Sequence, residues 1–386
     1  MSFSRRRPLR RHGGIALSLL AALAVACGPA AEPPSAPPLT YLGEALIAPE
    51  PEVRGDPGVG GLSAIFHAGG DTYYAISDDR GRYGPARYYV LRIDLSDGRL
   101  DDGDAVVTGW RPLLDPDGHP LQANTYDLEG LAVHDQTLFI ASEGDASAGV
   151  EPFVAVFGAE GRMMEPLGLP PGFEVGDGEN SGVRDNLAFE SLAITPDGRY
   201  VFTGTESALL QDGPVATPES GTAVRLLRFD RTHGVFDAEF AYPIDAVHAR
   251  SPMPGGLEVN GLSELLAFSG EHLLALERSF VTGALPEHSI KLFDVCLEGA
   301  TDISTIDSLA HTDASVTPAS KHLIGDIADL APRLDNLEGM TFGPTLPSGE
   351  QTLLFISDDN FAPHQITQVL AFAVSGDAIQ GCPSGQ

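Results

Sequence analysis

One short pattern recurs five times along this chain: a β-like segment, a tight turn and a second β-like segment. A further β-like run follows each pair, as at residues 88–93 and 369–372. The copies begin roughly 60 to 76 residues apart, a period long enough for a four-stranded unit with its loops. Four antiparallel strands repeated around an axis predict an all-β fold, a β-propeller with five to six four-stranded blades. The paired segments occupy residues 60–79, 128–143, 189–206, 263–278 and 337–359.

The last repeat ends after its third β-like run, so its blade lacks an outer strand. Residues 41–47 have the β-like character needed to fill that place. Closing the ring with this N-terminal strand removes an exposed sheet edge. We therefore predict that residues 39–386 form a single propeller domain, with five repeats counted and a degenerate sixth blade left open.

Residues 1–27 have the features of a lipoprotein signal peptide. Five arginines lie among residues 5–11, and the apolar run at residues 15–26 is too short to span a bilayer. Small residues precede Cys27, as in the lipobox of bacterial lipoproteins, in which the cysteine carries the lipid. The proline-rich residues 28–38 then predict a semi-rigid tether between lipid and domain.

The mature protein is thus predicted to lie in the bacterial cell envelope, at the outer membrane or cell surface, and to contact the membrane through its lipid alone. The alternative is an ordinary signal peptide and a secreted protein. Both compartments are oxidising, and two cysteines remain, Cys296 and Cys382. The sequence leaves open whether they pair or stay as separate thiols.

Acidic residues recur at the ends of the paired segments. Two residues of a hairpin face each other when they are equidistant from its turn. Glu190 and Glu206, for example, are centred on Gly198 within a Pro-Asp-Gly turn. The same count predicts facing acids in four repeats and one acid in the first, all gathered at one mouth of the central channel. The predicted set is Asp78, Glu129, Glu143, Glu190, Glu206, Glu264, Glu277, Glu338 and Asp358.

Carboxylates crowded in this way repel one another, so either some of them are protonated or a cation holds them together. A large number of hard oxygen ligands suits Ca²⁺ best, and Mg²⁺ or Mn²⁺ less well. We therefore predict bound Ca²⁺ in undetermined number. The alternative reading is that the acids are ordinary polar residues at strand ends.

Arginine and amide side chains stand beside these acids in the sequence. A guanidinium fork binds two oxygens of a phosphate or carboxylate together, although each arginine could instead pair with a neighbouring acid. The predicted ligand-binding residues are Arg80, Asn186, Asn260, Asn336 and Asn360. The predicted catalytic residues are Glu190, Glu264, Arg184 and Arg278.

The overall charge excludes a nucleic-acid partner. The chain has 54 Asp and Glu against 23 Lys and Arg, a formal net charge of −31, and its two lysines are Lys291 and Lys321. Nucleic-acid binding needs clustered cations to displace the counterions of the phosphate backbone. The chain also lacks a Gly-x-Ser-x-Gly elbow, a His-Glu-x-x-His motif and a P-loop. The protein is predicted to be a monomer. Because these motifs are missing, hydrolysis of a small ester would use a metal-activated water, with a carboxylate as the base.

These segments resemble the phytase-like family, also described as the "esterase-like activity of phytase" family, of secreted bacterial and plant propeller proteins. The resemblance covers about residues 60–375 and implies a propeller with hydrolysis of phosphate esters or other esters. It also implies relation to calcium-dependent propeller phytases. The matching segments are residues 61–63 with 77–81, 127–131, 186–192, 260–264, and 335–340 with 356–360.

Two functions follow as hypotheses. The first is a lipid-anchored, calcium-dependent hydrolase of a small anionic or ester substrate at the carboxylate-lined mouth. The second is a non-catalytic propeller that binds a ligand or a cell-envelope partner, with calcium in a structural role. Turnover of a substrate discriminates between them.

Overall fold

A computed structural model describes residues 37–48, 58–176 and 180–382 of the protein. Its contacts divide the chain into Met1–Ala36, which lies outside the described residues, and Pro37–Gln386. The predicted signal peptide, the lipidated Cys27 and most of the tether therefore fall on residues that are not described.

Twenty strands form five four-stranded antiparallel sheets, which we call blades 1 to 5. Blade 1 contains β2 (Leu62–Gly69), β3 (Thr72–Ser77), β4 (Arg87–Ile93) and β5 (Ala105–Pro112). Blade 2 contains β6 (Leu128–His134), β7 (Thr137–Ser142), β8 (Phe153–Gly158) and β9 (Met163–Pro166). Blade 3 contains β10 (Phe189–Ile194), β11 (Tyr200–Thr205), β12 (Thr222–Asp230) and β13 (Val235–Ile244). Blade 4 contains β14 (Glu258–Ala267), β15 (His272–Val281), β16 (His288–Cys296) and β17 (Ser320–Asp326). Blade 5 contains β18 (Asn336–Thr345), β19 (Gln351–Asp358), β20 (Thr367–Val374) and β1 (Leu39–Ile47).

The N-terminal strand closes the ring, as predicted. β1 pairs with β20 in antiparallel register from Leu39↔Val374 to Ile47↔Thr367, so the sheet order of blade 5 is β1-β20-β19-β18. With both edges of β20 paired, every residue of that strand is buried. The fold is thus a five-bladed β-propeller, and the described residues contain no sixth blade.

The first strand of each blade lies innermost. β2, β6, β10, β14 and β18 contact one another around the axis. The hydrophobic core is divided into five clusters, one between each pair of neighbouring blades. Between blades 1 and 2, for example, Ile76 packs in one cluster with Leu131 and Phe157. Each sheet has a neighbouring blade on either side. Both of its faces therefore carry apolar residues, which supply these clusters.

Tight turns fix the inner hairpins. Asp135 and Gln136, between β6 and β7, both adopt positive φ angles, 47° and 62°. Two such residues make the turn whose twist matches that of the flanking strands. Three 3₁₀ turns are the helical elements among the described residues: Ala146–Ala148, Leu210–Asp212 and Ile327–Asp329. No helix in the described ranges has the length and apolar character needed to cross a membrane.

The two cysteines left open by the sequence are joined. Cys296, at the end of β16, and Cys382 form a disulfide with a Cα–Cα distance of 5.1 Å. The bond fastens the segment that follows β20 onto blade 4.

Candidate metal centre at the channel mouth

Each innermost strand carries a β-bulge, which lies near the start of the strand in blades 1, 2, 3 and 5 and at the middle of β14 in blade 4. The register with the second strand skips one residue in every blade. A bulge leaves one residue unpaired and re-aims its side chain, and bulges are common beside active sites. The skipped residues are Ser63, Glu129, Glu190, Ser263 and Glu338.

The bulges correct the predicted pairing of acids across each hairpin. Glu190 does not face Glu206, because the ladder passes from Phe189↔Thr205 directly to Ser191↔Gly204. In blade 5, Asp358 faces Asn336 and not Glu338. Equal distance from a turn locates facing residues only in a regular ladder, so the predicted mirror arrangement is wrong even where both acids reach the mouth.

Six of the nine predicted acids do converge on one pocket. This pocket, which we call the mouth, has a volume of about 310 Å³ and lies where the innermost strands begin. Eight acids and three arginines line it, so carboxylates are in excess. The predicted acids in the mouth are Asp78, Glu129, Glu143, Glu190, Glu338 and Asp358.

The tightest group within the mouth joins blades 1 and 2. Carboxylate oxygens of Asp78, Asp127 and Glu129 lie within 4.8 Å of one another. Oδ1 of Asp78 is buried and has no hydrogen-bond partner in the described part of the chain. A buried carboxylate oxygen without a donor is costly unless a cation compensates it.

Burial and mutual repulsion make it difficult to keep all these carboxylates charged. Burial, together with repulsion from Glu190 and Asp127, raises the pKa of Glu129 well above its usual range. Burial raises the pKa of Glu338 to about 7, although Arg278 acts in the opposite direction. The pKa values of Asp78, Glu143, Glu190 and Asp358 are likewise raised well above their usual range, chiefly by burial and then by neighbouring carboxylates.

Arg80 ties blades 1 to 3 together at the mouth. Its guanidinium pairs with Asp127, lies 3.6 Å from Glu143 and 3.4 Å from Asp145, and donates to Oδ1 of Asn186 at 3.2 Å. The side chain is therefore already committed to carboxylates, which offset part of its charge.

Arg278 performs the same task between blades 3, 4 and 5. Its Nη1 donates to Oδ1 of Asn336 at 3.0 Å, and its Nη2 lies 3.1 Å from Glu206 and 3.4 Å from Glu338. Burial opposes its charge, but these acids, with Glu190, raise the pKa of Arg278. Arg278 therefore stays cationic at the rim.

Several rim residues hold a left-handed backbone that non-glycine residues rarely adopt. Arg80, Asn186, Asn360 and Phe361 have φ angles of 53°, 55°, 47° and 50°. Such conformations cost free energy and concentrate at ligand sites. The ring of Phe361 stacks on Tyr83 at 4.2 Å between centroids and covers one side of the mouth.

Glu264, predicted to be catalytic and metal-binding, lies below the mouth and does not line it. The bulged residue in blade 4 is Ser263, so Glu264 is the residue that follows the bulge. It occupies the same place in the ladder as Gly130 in blade 2 and Gly339 in blade 5. Its carboxylate accepts from the backbone N–H of Leu192 at 3.1 Å and of Leu265 at 2.9 Å. Glu264 therefore ties innermost strands together within the channel.

Glu277 and Asn260 also lie away from the mouth. Glu277 faces Leu262 in the ladder and accepts from the hydroxyl of Tyr242 at 2.8 Å and from Asn260 at 3.2 Å. Lys321 pairs with the same carboxylate. The group belongs to the interface between blades 3 and 4.

Arg184 also lies away from the mouth and donates to the backbone carbonyls of Ala208 at 2.8 Å and Gly213 at 2.6 Å. It anchors a loop of blade 3, and burial lowers its pKa. Glu206 reaches only the edge of the mouth, through Arg278. Proximity in sequence to an acid did not place Arg184 beside that acid in space.

The predicted site residues omit five that line the mouth: Asp79, Arg82, Tyr83, Phe361 and, in the tightest carboxylate group, Asp127. Asp127 stands two positions before the bulged Glu129, as Asn336 stands before Glu338, and both side chains reach the rim. The polar residue at this position in blades 2 and 5 was the available signal. The groups at the mouth are oxygen donors from carboxylates, so they fit a hard cation such as Ca²⁺.

The fold and this site define a class: five-bladed β-propellers whose channel opens into a carboxylate-lined mouth. A protein-family model described as "Phytase-like: Esterase-like activity of phytase" matches residues 57–361. The chain belongs to this phytase-like family.

Solved structures with similar chain traces are remote in sequence. The Dos1 propeller has 9% identity and a TM-score of 0.35, covering 81% of this chain and 68% of that one. The catalytic domain of the Coprinopsis cinerea GH62 α-L-arabinofuranosidase has 11% identity and a TM-score of 0.40, covering 88% and 98%. U3-55K has 9% identity and a TM-score of 0.34, covering 82% and 96%. A search of curated proteins finds no match.

Proposed function

We propose that the protein is a calcium-dependent hydrolase of phosphate esters or other esters, acting at the channel mouth. One observation carries the proposal. Asp78, Asp127 and Glu129 come from two blades, yet their carboxylate oxygens lie within 4.8 Å of one another in an open pocket. Family membership supports the class of reaction.

Asp78, Asp127 and Glu129 would hold the cation. When bound, Ca²⁺ would neutralise these carboxylates and polarise an oxygen of the ester. The unpartnered Oδ1 of Asp78 supports this assignment, because a cation would satisfy it.

The other rim residues would orient substrate and water. Glu190 projects from the bulge of β10 into the mouth, where its carboxylate would accept a proton from the attacking water. Arg278 keeps a cationic edge beside it and would orient a substrate oxygen, while Asn186 and Asn360 offer amide groups on the same rim.

We also propose that the protein works outside the cytoplasm, lipid-anchored through Cys27 or secreted. The disulfide between Cys296 and Cys382 supports an oxidising compartment.

The test is hydrolysis of a panel of phosphate and carboxylic esters by the purified full-length protein, with Ca²⁺ or with chelator. Glu190→Gln should lower kcat at least about a hundredfold, because it removes the proposed base. Glu165→Gln, at an exposed position on β9, is the matched control. Calcium-independent turnover that survives both Glu190→Gln and Asp127→Asn would contradict the site.

One observation favours the second function, a binding propeller with structural calcium. Arg80 and Arg278 are both engaged by carboxylates of different blades, so the mouth already joins the ring. In that case Ca²⁺ raises the melting temperature, Asp78→Asn abolishes the rise, and no ester in the panel is turned over.

A further inference from the structure

A second and larger cavity adjoins the mouth on the side of blades 4 and 5. This cleft has a volume of about 960 Å³ and shares four lining residues with the mouth: Asn186, Arg278, Glu338 and Asn360. A molecule whose reacting group lies in the mouth can therefore extend into the cleft without crossing a barrier of backbone.

Apolar side chains form much of the cleft wall. Leu257 lines the cleft from the loop before β14, Val259 from β14 and Phe280 from β15. Leu257 is 63% exposed, and Leu285, next to the lining residue Pro286, is 98% exposed. Large apolar side chains left in water beside a concave surface mark a binding site.

The charges of the cleft argue against a polyanionic ligand. Four acids and two arginines line it. Arg278 is one of those arginines, and it is engaged by Glu206 and Glu338. A ligand with several phosphates would therefore meet more carboxylates than guanidinium groups, and repulsion would weaken its binding. The ionisable lining residues besides His288 and His364 are Glu206, Glu287, Asp335, Glu338, Arg278 and Arg333.

We propose that the cleft binds the uncharged, partly apolar alcohol portion of a phosphate ester whose single phosphate lies at the mouth. This inference rests on the proposed hydrolase function. The reaction is a simple hydrolysis: the bond from phosphorus to the alcohol oxygen breaks, a bond from phosphorus to the water oxygen forms, and one proton passes to the departing alcohol. The substrate thus carries one phosphate on a bulky neutral group.

A graded series of substrates tests the inference. Ethyl, benzyl and 2-naphthylmethyl phosphate carry the same scissile group on primary alcohols of increasing apolar area. With Ca²⁺ present, we expect kcat/KM to rise at least about tenfold from the first to the last, mainly through KM, because apolar area is buried in the cleft. Inositol hexakisphosphate should be a poorer substrate than 2-naphthylmethyl phosphate.

Leu257→Asp should reduce the ratio of kcat/KM between 2-naphthylmethyl and ethyl phosphate at least about fivefold, because it places a charge on the apolar wall. Its side chain is mostly exposed, so the fold should tolerate the change. Val235→Asp, at a half-exposed apolar position on β13 that does not line the cleft, is the control and should leave the ratio unchanged.

The outcomes separate this inference from the proposed function. Equal kcat/KM across the series in an active protein would overturn the cleft inference and leave the hydrolase standing. If none of the esters is hydrolysed, the hydrolase fails, and calorimetry with 2-naphthylmethylphosphonate and ethylphosphonate decides the cleft. Tighter binding of the former by about tenfold, lost in Leu257→Asp, would support the cleft; equal affinity would overturn it.

Discussion

Asp245 brings the two lysines of this acidic chain together. Its Oδ2 lies 2.9 Å from Nζ of Lys291, and its Oδ1 lies 2.8 Å from Nζ of Lys321. Lys321 also stands 4.1 Å above the ring of Phe293. Burial opposes the charge of Asp245, but the two lysines lower its pKa below the usual value.

Because the pKa of Asp245 is lowered in the folded state, its carboxylate stabilises the protein above its unfolded pKa of about 3.8. That stabilisation is lost as pH falls through the lower, folded pKa. Asp245→Asn should therefore lower the melting temperature at pH 7, and the difference from wild type should shrink below about pH 4. Melting curves from pH 3 to pH 8 measure this, with the exposed Asp307→Asn as control. A difference that stays constant with pH would contradict the ion pair.

At the scale of elements, the bulges decide which side chains reach the mouth. Alternating apolar residues and turn residues predict the hairpins, the five repeats and the ring-closing strand, because each depends on local pattern. The bulges are not visible in that pattern, since one extra residue in a strand leaves both flanking alternations intact. The predicted alignment therefore places Glu264 one position too close to the rim, and it pairs Glu264 with Glu277, whereas Glu277 faces Leu262.

The sequence pattern does not predict the side-chain contacts between blades. Arg278 reaches Glu206 and Glu338, residues 72 and 60 positions away in the chain, because three blades meet at the axis. Arg184, six residues before Glu190, is not in the mouth. The side-chain partners at a propeller mouth depend on how neighbouring blades pack, and the spacing within one repeat carries no information about that.

The ring-closing strand β1 depends on a single glycine. Gly43 has a φ of +139°, and a Cβ there would stand 2.0 Å from the carbonyl oxygen of Leu100. The backbone N–H of Leu100 donates to the carbonyl of Leu42 at 3.3 Å, so β1 and blade 1 meet backbone to backbone. Neither backbone segment can move to make room for a methyl group without losing this contact.

We therefore expect Gly43→Ala to lower the free energy of unfolding by about 2–4 kcal/mol, from the clash and the backbone strain together. Gly98→Ala is the matched control, because Gly98 has a φ of +83° but no atom within 4 Å of its added Cβ. It should cost only about 1 kcal/mol, from strain alone. Urea denaturation of both variants measures the two effects, and equal losses would show that the contact with Leu100 is unimportant.

At the scale of the whole molecule, both ends of the described chain secure blade 5. β1 pairs with the outer edge of β20, and the segment after β20 returns to blade 4. There the backbone N–H groups of Gln380 and Gly381 donate to Oδ2 of Asp294 at 2.8 and 3.0 Å. The ring is thus closed by hydrogen bonds on one side and by a covalent bond on the other.

The disulfide should stabilise the entire fold. The disulfide between Cys296 and Cys382 joins residues 86 positions apart, so it restricts the unfolded chain over all of blade 5 except β1. Reduction should lower the free energy of unfolding by about 2–4 kcal/mol, because the unfolded chain regains the entropy of a long loop. Urea denaturation with and without reductant measures the loss.

The Cys296→Ser, Cys382→Ser double variant is the control, and its midpoint should match that of the reduced protein and not respond to reductant. Because β1 still pairs with β20 after reduction, unfolding should remain a single transition; a separate early transition would mean that the disulfide, and not β1, holds blade 5 in the ring.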